Sequence, residues 1–366
     1  MFAAFALHLQ RLWWRPRLSP LTALLGPLAW LVGTVAAHRR ATQAAAARLP
    51  VPVIVVGNVI VGGAGKTPTV IALVAQLRGW GWTPGIVSRG HGRVDATPLL
   101  LDRQTPAAGV TPAAFGDEPV LMHRRTGAPV AVARRRRDAA LRLLNAHPAV
   151  DILVADDGLQ HHGLPRDIEL VVFDGRGLGN GWPLPAGPLR ERASQIWPAP
   201  RPDGAPAPAR FIVVNGRWPA PPALALPAPP DCCWEAERRL GGVVDLAAWA
   251  RGEAASAAEL DGLRGHAVLA CAGIGDPERF FSMLEACGLR IRRLPMPDHA
   301  DFDPLPWPPS TGEVLVTEKD AVKLVGRALG ATRVRVVTLD FGLPRGLTDA
   351  LQAALAAPPA PAGAPR

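Results

Sequence analysis

The first 94 residues contain no aspartate or glutamate at all. Arg11, Arg15, Arg17, Arg39, Arg40, Arg48, Lys66, Arg78, Arg89 and Arg93 stand there unopposed, so ten positive charges exceed the whole-chain net of +9 and residues 95–366 net −1. The basic character therefore belongs to one end, and a high isoelectric point of this kind does not argue for nucleic acid. A lipid headgroup, a phosphorylated substrate or a merely solvated basic face all suit such an end. Cysteine is also scarce: Cys232, Cys233, Cys271 and Cys287 form no CxxC pair and no Cys/His metal spacing. Adjacent cysteines do not easily bridge each other, so neither a disulfide nor a zinc site is expected, and reduced thiols in a cytosolic compartment are the default. With 48% hydrophobic and 19% charged residues, disorder throughout is excluded, and 366 residues suffice for two domains or one large one.

Long apolar runs are few, and the longest lies in that basic end. Residues 21–37, LTALLGPLAWLVGTVAA, carry no charge over 17 positions, the lower limit for a hydrocarbon core of about 30 Å. The run is long enough either to span a bilayer or to dip into it. Trp13 and Trp14 between Arg11 and Arg15 are residue types favoured at a headgroup interface, and Arg39 and Arg40 follow the run. Positive charge on both flanks gives no orientation. A buried core helix and a cleavable leader are the competing readings. Arg/Trp entry clusters are rare on the first, and 20 residues before the apolar run are long for the second.

Short apolar runs then recur at 52–58, 85–90, 129–133, 151–157, 168–175, 210–216, 266–275, 313–320 and 334–340, with helical patterns at 69–80, 136–146 and 277–288 between several of them. Continuous apolar strands alternating with helices indicate a doubly wound, mostly parallel α/β sheet covered on both faces. Pro-rich stretches between Trp197 and Pro230 read as linker or long surface loop. The expected organisation is a membrane-associated helix over 1–45, a nucleotide-binding domain over 46–205, a second, smaller α/β domain over 206–355 and a disordered Pro/Ala tail over 356–366.

The clearest chemistry follows the first strand. Gly62, Gly63 and Gly65, with Ala64 between them, let backbone N–H groups turn toward an anion. Lys66 suits the outer phosphates of a nucleotide, Thr67 suits Mg²⁺, and Pro68 stands where the helix follows. The strict P-loop pattern GxxxxGK followed by Ser or Thr fails at Ile60, yet the strand before and the helix after are both present. A P-loop needs a carboxylate at another strand end, and Asp156 and Asp157 stand there; turn capping is their simpler alternative.

Taken in order, GN (57–58), GGAGKTP (62–68), SRGHGR (88–93), GDEP (116–119), DDGLQH (156–161), DGRGLGNGWPLPAGPLRE (174–191), AGIGDPERF (272–280), PDH (297–299) and TEKDAVK (317–323) resemble the tetraacyldisaccharide 4′-kinase family of the lipid A pathway. The resemblance runs from the apolar segment to about residue 325. It implies a P-loop NTPase-type fold that transfers the ATP γ-phosphate to the 4′-hydroxyl of tetraacyldisaccharide 1-phosphate, yielding lipid IVA at the cytoplasmic face of a Gram-negative inner membrane. By the same resemblance, Asp117 is the general base and His299 its helper, and Glu191 joins Thr67, Asp156 and Asp157 around Mg²⁺. Arg190 contacts a phosphate, with a surface ion pair as its alternative, while Gln160 and His161 follow the acidic pair closely enough to face the same cleft. Without the resemblance, GDEP reads as a helix cap and His299 as a structural histidine. Two positions depart from the family pattern: His91, where an aromatic is usual, and Ala300, where a second His is common. The partners implied are the lipid and a membrane surface, with no nucleic acid and no obligate protein partner. The competing reading is a membrane-associated P-loop ATPase switch without a lipid acceptor, against which Val61 replaces the signature lysine of such switches.

Overall fold

The computed structural model describes residues 2–15, 17–42, 48–93, 95, 97–106, 109–197, 207–218 and 228–356. The tail expected to be disordered lies outside them except for residue 356, as do the proline-rich stretches 198–206 and 219–227.

Three helices lead the chain: α1 (Phe2–Trp13), α2 (Pro20–Leu24) and α3 (Gly26–Thr42). Ser19 caps α2 in a reciprocal pair with Thr22, Pro20 occupies the first turn, and the chain breaks at Leu25 before α3 begins. The apolar run is thus divided between two helices, and no helix among the described residues is long and apolar enough to cross a membrane. The tryptophans expected at a headgroup interface are instead turned to the protein. Trp13 is buried and its indole donates to the Pro185 carbonyl at 3.0 Å, while Arg176 stacks 4.2 Å from the Trp14 ring. The apolar surface left to solvent lies further along, at Leu24, Leu28, Trp30, Leu31 and Val35.

The body alternates strands and helices through β1 (Val53–Gly57), α4 (Lys66–Gly79), β2 (Pro84–Ser88), β3 (Leu99–Leu101), α5 (Pro112–Phe115), α6 (Asp117–Thr126) and β4 (Val130–Val132). It continues through α7 (Arg136–Ala146), β5 (Ile152–Asp156), β6 (Ile168–Asp174), α8 (Ala193–Ile196), β7 (Ala209–Asn215) and β8 (Cys233–Ala236). These strands form one eight-stranded sheet in the order β3-β4-β2-β5-β1-β6-β7-β8, parallel except where β3 meets β4. Every residue of β1, β5 and β6 is buried, as a strand covered on both faces requires.

After β9 (Arg238–Asp245) come α9 (Leu246–Ala250), α10 (Ala257–Gly262), β10 (Ala267–Ala272), α11 (Pro277–Ala286) and β11 (Arg290–Pro295). Then follow β12 (Glu313–Thr317), α12 (Glu318–Leu324), β13 (Arg333–Phe341) and α13 (Arg345–Ala356). The second sheet runs β11-β10-β12-β13-β9, with β9 antiparallel to β13 and the remaining pairs parallel. The expected division at residues 205/206 does not coincide with the changeover between sheets. β7 and β8 complete the first sheet, because a buried Val/Ile-rich strand such as β7 needs neighbours on both sides, and the second sheet begins only at Arg238.

Phe173 on β6 is fully buried, with its ring edge-on to Trp218 at 5.6 Å. Phe173→Ala is expected to cost about 3–5 kcal/mol, read as a lower urea midpoint against the unsubstituted chain.

Candidate active site

The carboxyl ends of β1, β2 and β5 carry the phosphate loop, Ser88 and the acidic pair. Facing them are the turns of the second sheet after β10, β11 and β12. Between the two lies a cavity of about 940 Å³ whose lining includes residues 62–68, Asp156, Asp157, Arg190, His299 and Lys319. Such a position, outside the carboxyl ends of parallel strands, is where α/β sheets bind ligands.

The phosphate loop is shaped by contacts from several elements. Gly65 adopts φ 90° at the start of α4, and a Cβ there would lie 1.8 Å from the Asn215 amide. No other residue fits that backbone and that space. Asn215 donates to the Ala64 carbonyl at 2.9 Å, and Asn58 donates to the Gly62 carbonyl at 3.1 Å. Lys66 Nζ lies 3.4 Å from both Asn58 Oδ1 and Asp157 Oδ1. From the other side, Gly275 packs on the loop: a Cβ on it would meet Gly63 N at 2.9 Å.

At the end of β5, Asp156 is buried and accepts from the Ser88 hydroxyl at 3.1 Å on one oxygen, whereas Oδ1 has no partner among the described residues. Burial and the neighbouring Glu118 and Asp157 carboxylates push its carboxyl up to about 7. That orphaned oxygen and the Thr67 hydroxyl, from residues that line the same cavity, are hard-oxygen donors of the kind that fit a magnesium-like cation sharing its shell with phosphate oxygens. Asp157 adopts φ 48° and is held by Lys66 and, at 3.3 Å, by Arg190. Burial raises its carboxyl, but Lys66, Arg190 and Arg136 outweigh that and keep it below the usual range. Among the described residues no cluster of three or more His, Cys, Asp or Glu is assembled for a metal, and Glu191 is buried away from the cavity lining.

The second chemical centre joins the two sheets. Asp117 begins α6, is buried, and accepts from the Glu118 amide on Oδ1; its Oδ2 lies 2.9 Å from His299 Nδ1. Lys319 and Lys323 of α12 stand 3.9 and 3.7 Å from the same oxygen. Burial pushes the Asp117 carboxyl up, but the His299 hydrogen bond and the two lysines pull it down to about 2. An ionised Asp117 makes Nδ1 the protonated nitrogen and leaves Nε2 as the acceptor of the neutral ring. The Asp117 hydrogen bond raises His299 above its ordinary value, against burial and Lys319. His299 adopts φ 59°; with Asp157 it is one of the two positive-φ non-glycine residues among the described residues, and both line the cavity. His91 packs its ring 5.0 Å from that of His299, so the position where the family usually has an aromatic still presents a ring to this pair.

The structure thus brings together residues 62–68, Asp156, Asp157, Arg190 and His299, with Asp117 reaching the cavity through His299. Gln160 and His161 were expected to face the cleft and do not line it. Gln160 instead donates to the Asn58 carbonyl at 3.1 Å and supports the loop from behind. Burial, then Arg136 and Arg89, drives His161 down to about 4, so it stays neutral. Lys319, Arg136 and Asn215 were missed. TEKD marked the Lys319 segment without naming the lysine as a site residue, the run Arg134–Arg137 before a helical stretch reads as a solvated or phosphate-facing surface without singling out Arg136, and nothing local distinguishes Asn215.

Residues 21–356 match the family described as Tetraacyldisaccharide-1-P 4'-kinase. The chain is 49% identical to the Tetraacyldisaccharide 4'-kinase of Methylibium petroleiphilum, covering 93% of this chain and 96% of that one. It is 50% identical to the protein of the same name from Leptothrix cholodnii over 91% and 92% of the two chains. Among solved structures, LpxK from Aquifex aeolicus in complex with ATP superposes with a TM-score of 0.71 at 25% identity, covering 92% of this chain and 99% of that one.

The raised His299 ring gives a titration test. Its pair with Asp117 contributes stability fully below the ordinary histidine value of 6.5, and that contribution is lost as pH rises through the higher folded value. An NMR titration is expected to place the His299 midpoint above 6.5 and to show it falling in Asp117→Asn, which removes the raising charge.

Proposed function

The chain belongs to the tetraacyldisaccharide 4′-kinase family, and from that premise we propose which of its residues carry the transfer. It is an ATP-dependent kinase acting on the 4′-hydroxyl of tetraacyldisaccharide 1-phosphate, which sets aside the acceptor-free ATPase switch. The observation that supports the residue assignment best is the Asp117–His299 pair, buried at one end and open to the ATP cavity at the other.

In this reading the ionised Asp117 holds His299 with Nδ1–H toward it. The 4′-hydroxyl gives its proton to Nε2 as its oxygen attacks the γ-phosphorus, and ADP leaves. Asp117 then balances the imidazolium charge. The resemblance makes Asp117 the base and His299 the helper; the low Asp117 value and its burial outside the cavity lining favour treating the two as one unit, with His299 Nε2, 3.4 Å from the Lys319 ammonium, receiving the proton. Lys66 and the loop amides hold the β- and γ-phosphates, and Arg190 stands ready to change partners from Asp157 to phosphate. Thr67 and Asp156 would hold Mg²⁺, which when bound supplies positive charge to the phosphates. Asp157 acts beside them through Lys66.

The membrane surface and an inner-membrane, cytoplasmic-face location belong to the same proposal. Support comes from the exposed Leu24, Leu28, Trp30, Leu31 and Val35 beside a basic, acid-free segment, a combination that suits lying in a bilayer interface rather than crossing it. The amphiphilic acceptor makes such placement useful.

Two outcomes are expected. Transfer of labelled γ-phosphate to the lipid acceptor in detergent micelles should fall about 10²–10⁴-fold in Asp117→Ala; unchanged transfer removes the pair from the chemistry. In flotation with anionic vesicles the chain should rise with the lipid, and a combined Leu24→Ser, Trp30→Ser, Leu31→Ser variant should stay behind while retaining transfer to a detergent-dispersed acceptor.

A further inference from the structure

Arg238 is the first residue of β9 and so belongs to the second sheet, yet its guanidinium reaches the phosphate loop of the first. Its Nε donates to Asn215 Oδ1, and Asn215 Nδ2 donates to the Ala64 carbonyl at 2.9 Å. A Cβ built on Gly65 would lie 2.0 Å from Arg238 Nη2, which sets that nitrogen directly against the last glycine of the loop. Nη2 is itself buried and has no hydrogen-bond partner among the described residues, and Arg238 lines the cavity. Arg279 of α11 lines the same wall and approaches carboxylates only loosely, Asp174 at 3.9 Å and Asp276 at 3.8 Å. Burial, then the Arg279 charge, lowers the Arg238 guanidinium to about 9 against the raising effect of Asp174 and Asp276.

A buried guanidinium with one arm anchored and one donor unused is costly unless an anion completes it. The nearest anion consistent with the cavity's use is the nucleotide polyphosphate, whose oxygens the same loop gathers. Resting on the reading of this cavity as the ATP site, we infer that Arg238 is a further polyphosphate ligand, supplied by the second sheet to the loop of the first. Its Nη2–H donates to a phosphate oxygen, while Asn215 fixes the direction of the fork. The lipid acceptor is not its partner, because Arg238 is set against Gly65 of the phosphate loop, whereas the proposed proton acceptor His299 is held by Asp117.

The test uses the full chain with Arg238→Ala and Arg238→Lys, reading ATP affinity, competition by adenosine and by inorganic triphosphate, KM for the lipid, and ligand-free melting. Losing a hydrogen bond to a charged group is expected to weaken ATP and triphosphate roughly ten- to a hundredfold in Arg238→Ala. Adenosine binding and the KM for lipid should stay within about twofold, and Arg238→Lys should recover part of the loss. Equal weakening of adenosine and ATP, unchanged ATP affinity, or a rise confined to the lipid KM each overturns the inference. If Arg238→Ala fails to fold, the ratio of ATP to adenosine affinity in Arg238→Lys decides in the same way. Absence of ATP binding by the unsubstituted chain overturns instead the reading on which the inference rests.

Discussion

The hydrogen bond between Asp117 and His299 joins residues 182 positions apart and draws the two sheets onto a common cavity. Asp117 starts α6 of the first sheet, and His299 lies in the turn after β11 of the second. Around them the α6 and α12 helices are cross-linked by charge: Lys319 lies 3.2 Å from Glu118 and from Asp298, Arg125 bonds Glu318, and Lys323 lies 3.7 Å from Asp117. Burial lowers the Lys319 ammonium, but Glu118, Asp117 and Asp298 raise it further, so it remains charged. Buried ions on this scale are tolerated only when each finds opposite charge, and here the partners come from opposite sheets. The fold's second sheet is therefore part of the site and not an appendage to it.

The phosphate side obeys the same constraint. Lys66, Arg190, Arg136 and Arg238 converge on the cavity, with Asp156 and Asp157 facing the first three and Asp174 and Asp276 acting on Arg238. Arg136 is buried with Nε and Nη1 unpartnered among the described residues, and its Nη2 donates to the Asp157 carbonyl at 2.7 Å. Spare donors facing spare cavity volume are what a polyanionic ligand requires, since positive charge held in place before binding costs no reorganisation when the anion arrives. Burial first, and then the charges of Arg136 and Arg89, keep His161 neutral.

The N-terminal helices show how composition and burial part company. Arg176 stacks on Trp14 and is itself anchored on the buried Asp174 at 2.7 Å, and Arg192 lies 5.6 Å from the Trp30 ring while donating to Thr34 at 2.7 Å. These contacts fasten α1 and α3 to the segment between β6 and α8. Trp13 and Trp14 are used in attachment, and the apolar residues left outward are those of α2 and α3.

Strand runs ending in Gly or Asp, the glycine loop before a helix, and the acidic pair at a strand end were legible because each is a local requirement. A covered strand must be apolar throughout, and a phosphate loop must have glycine where φ is positive. All nine apolar runs became strands. Short or mixed strands were not legible: β11, RIRRLP, is mostly exposed on an edge, and β3 has only three residues. Nor was the true junction between sheets, since β7 and β8 are assigned by pairing rather than by composition. What the sequence by itself determined was the α/β class and the phosphate loop, while Asp117 and His299 were named only through the family resemblance and read otherwise as a helix cap and a structural histidine. Only the tertiary structure decided that Trp13 is buried, that Gln160 supports the loop from behind, and that Arg238 meets Gly65. Those outcomes depend on which distant backbone atom a side chain meets, and no spacing along the chain encodes that.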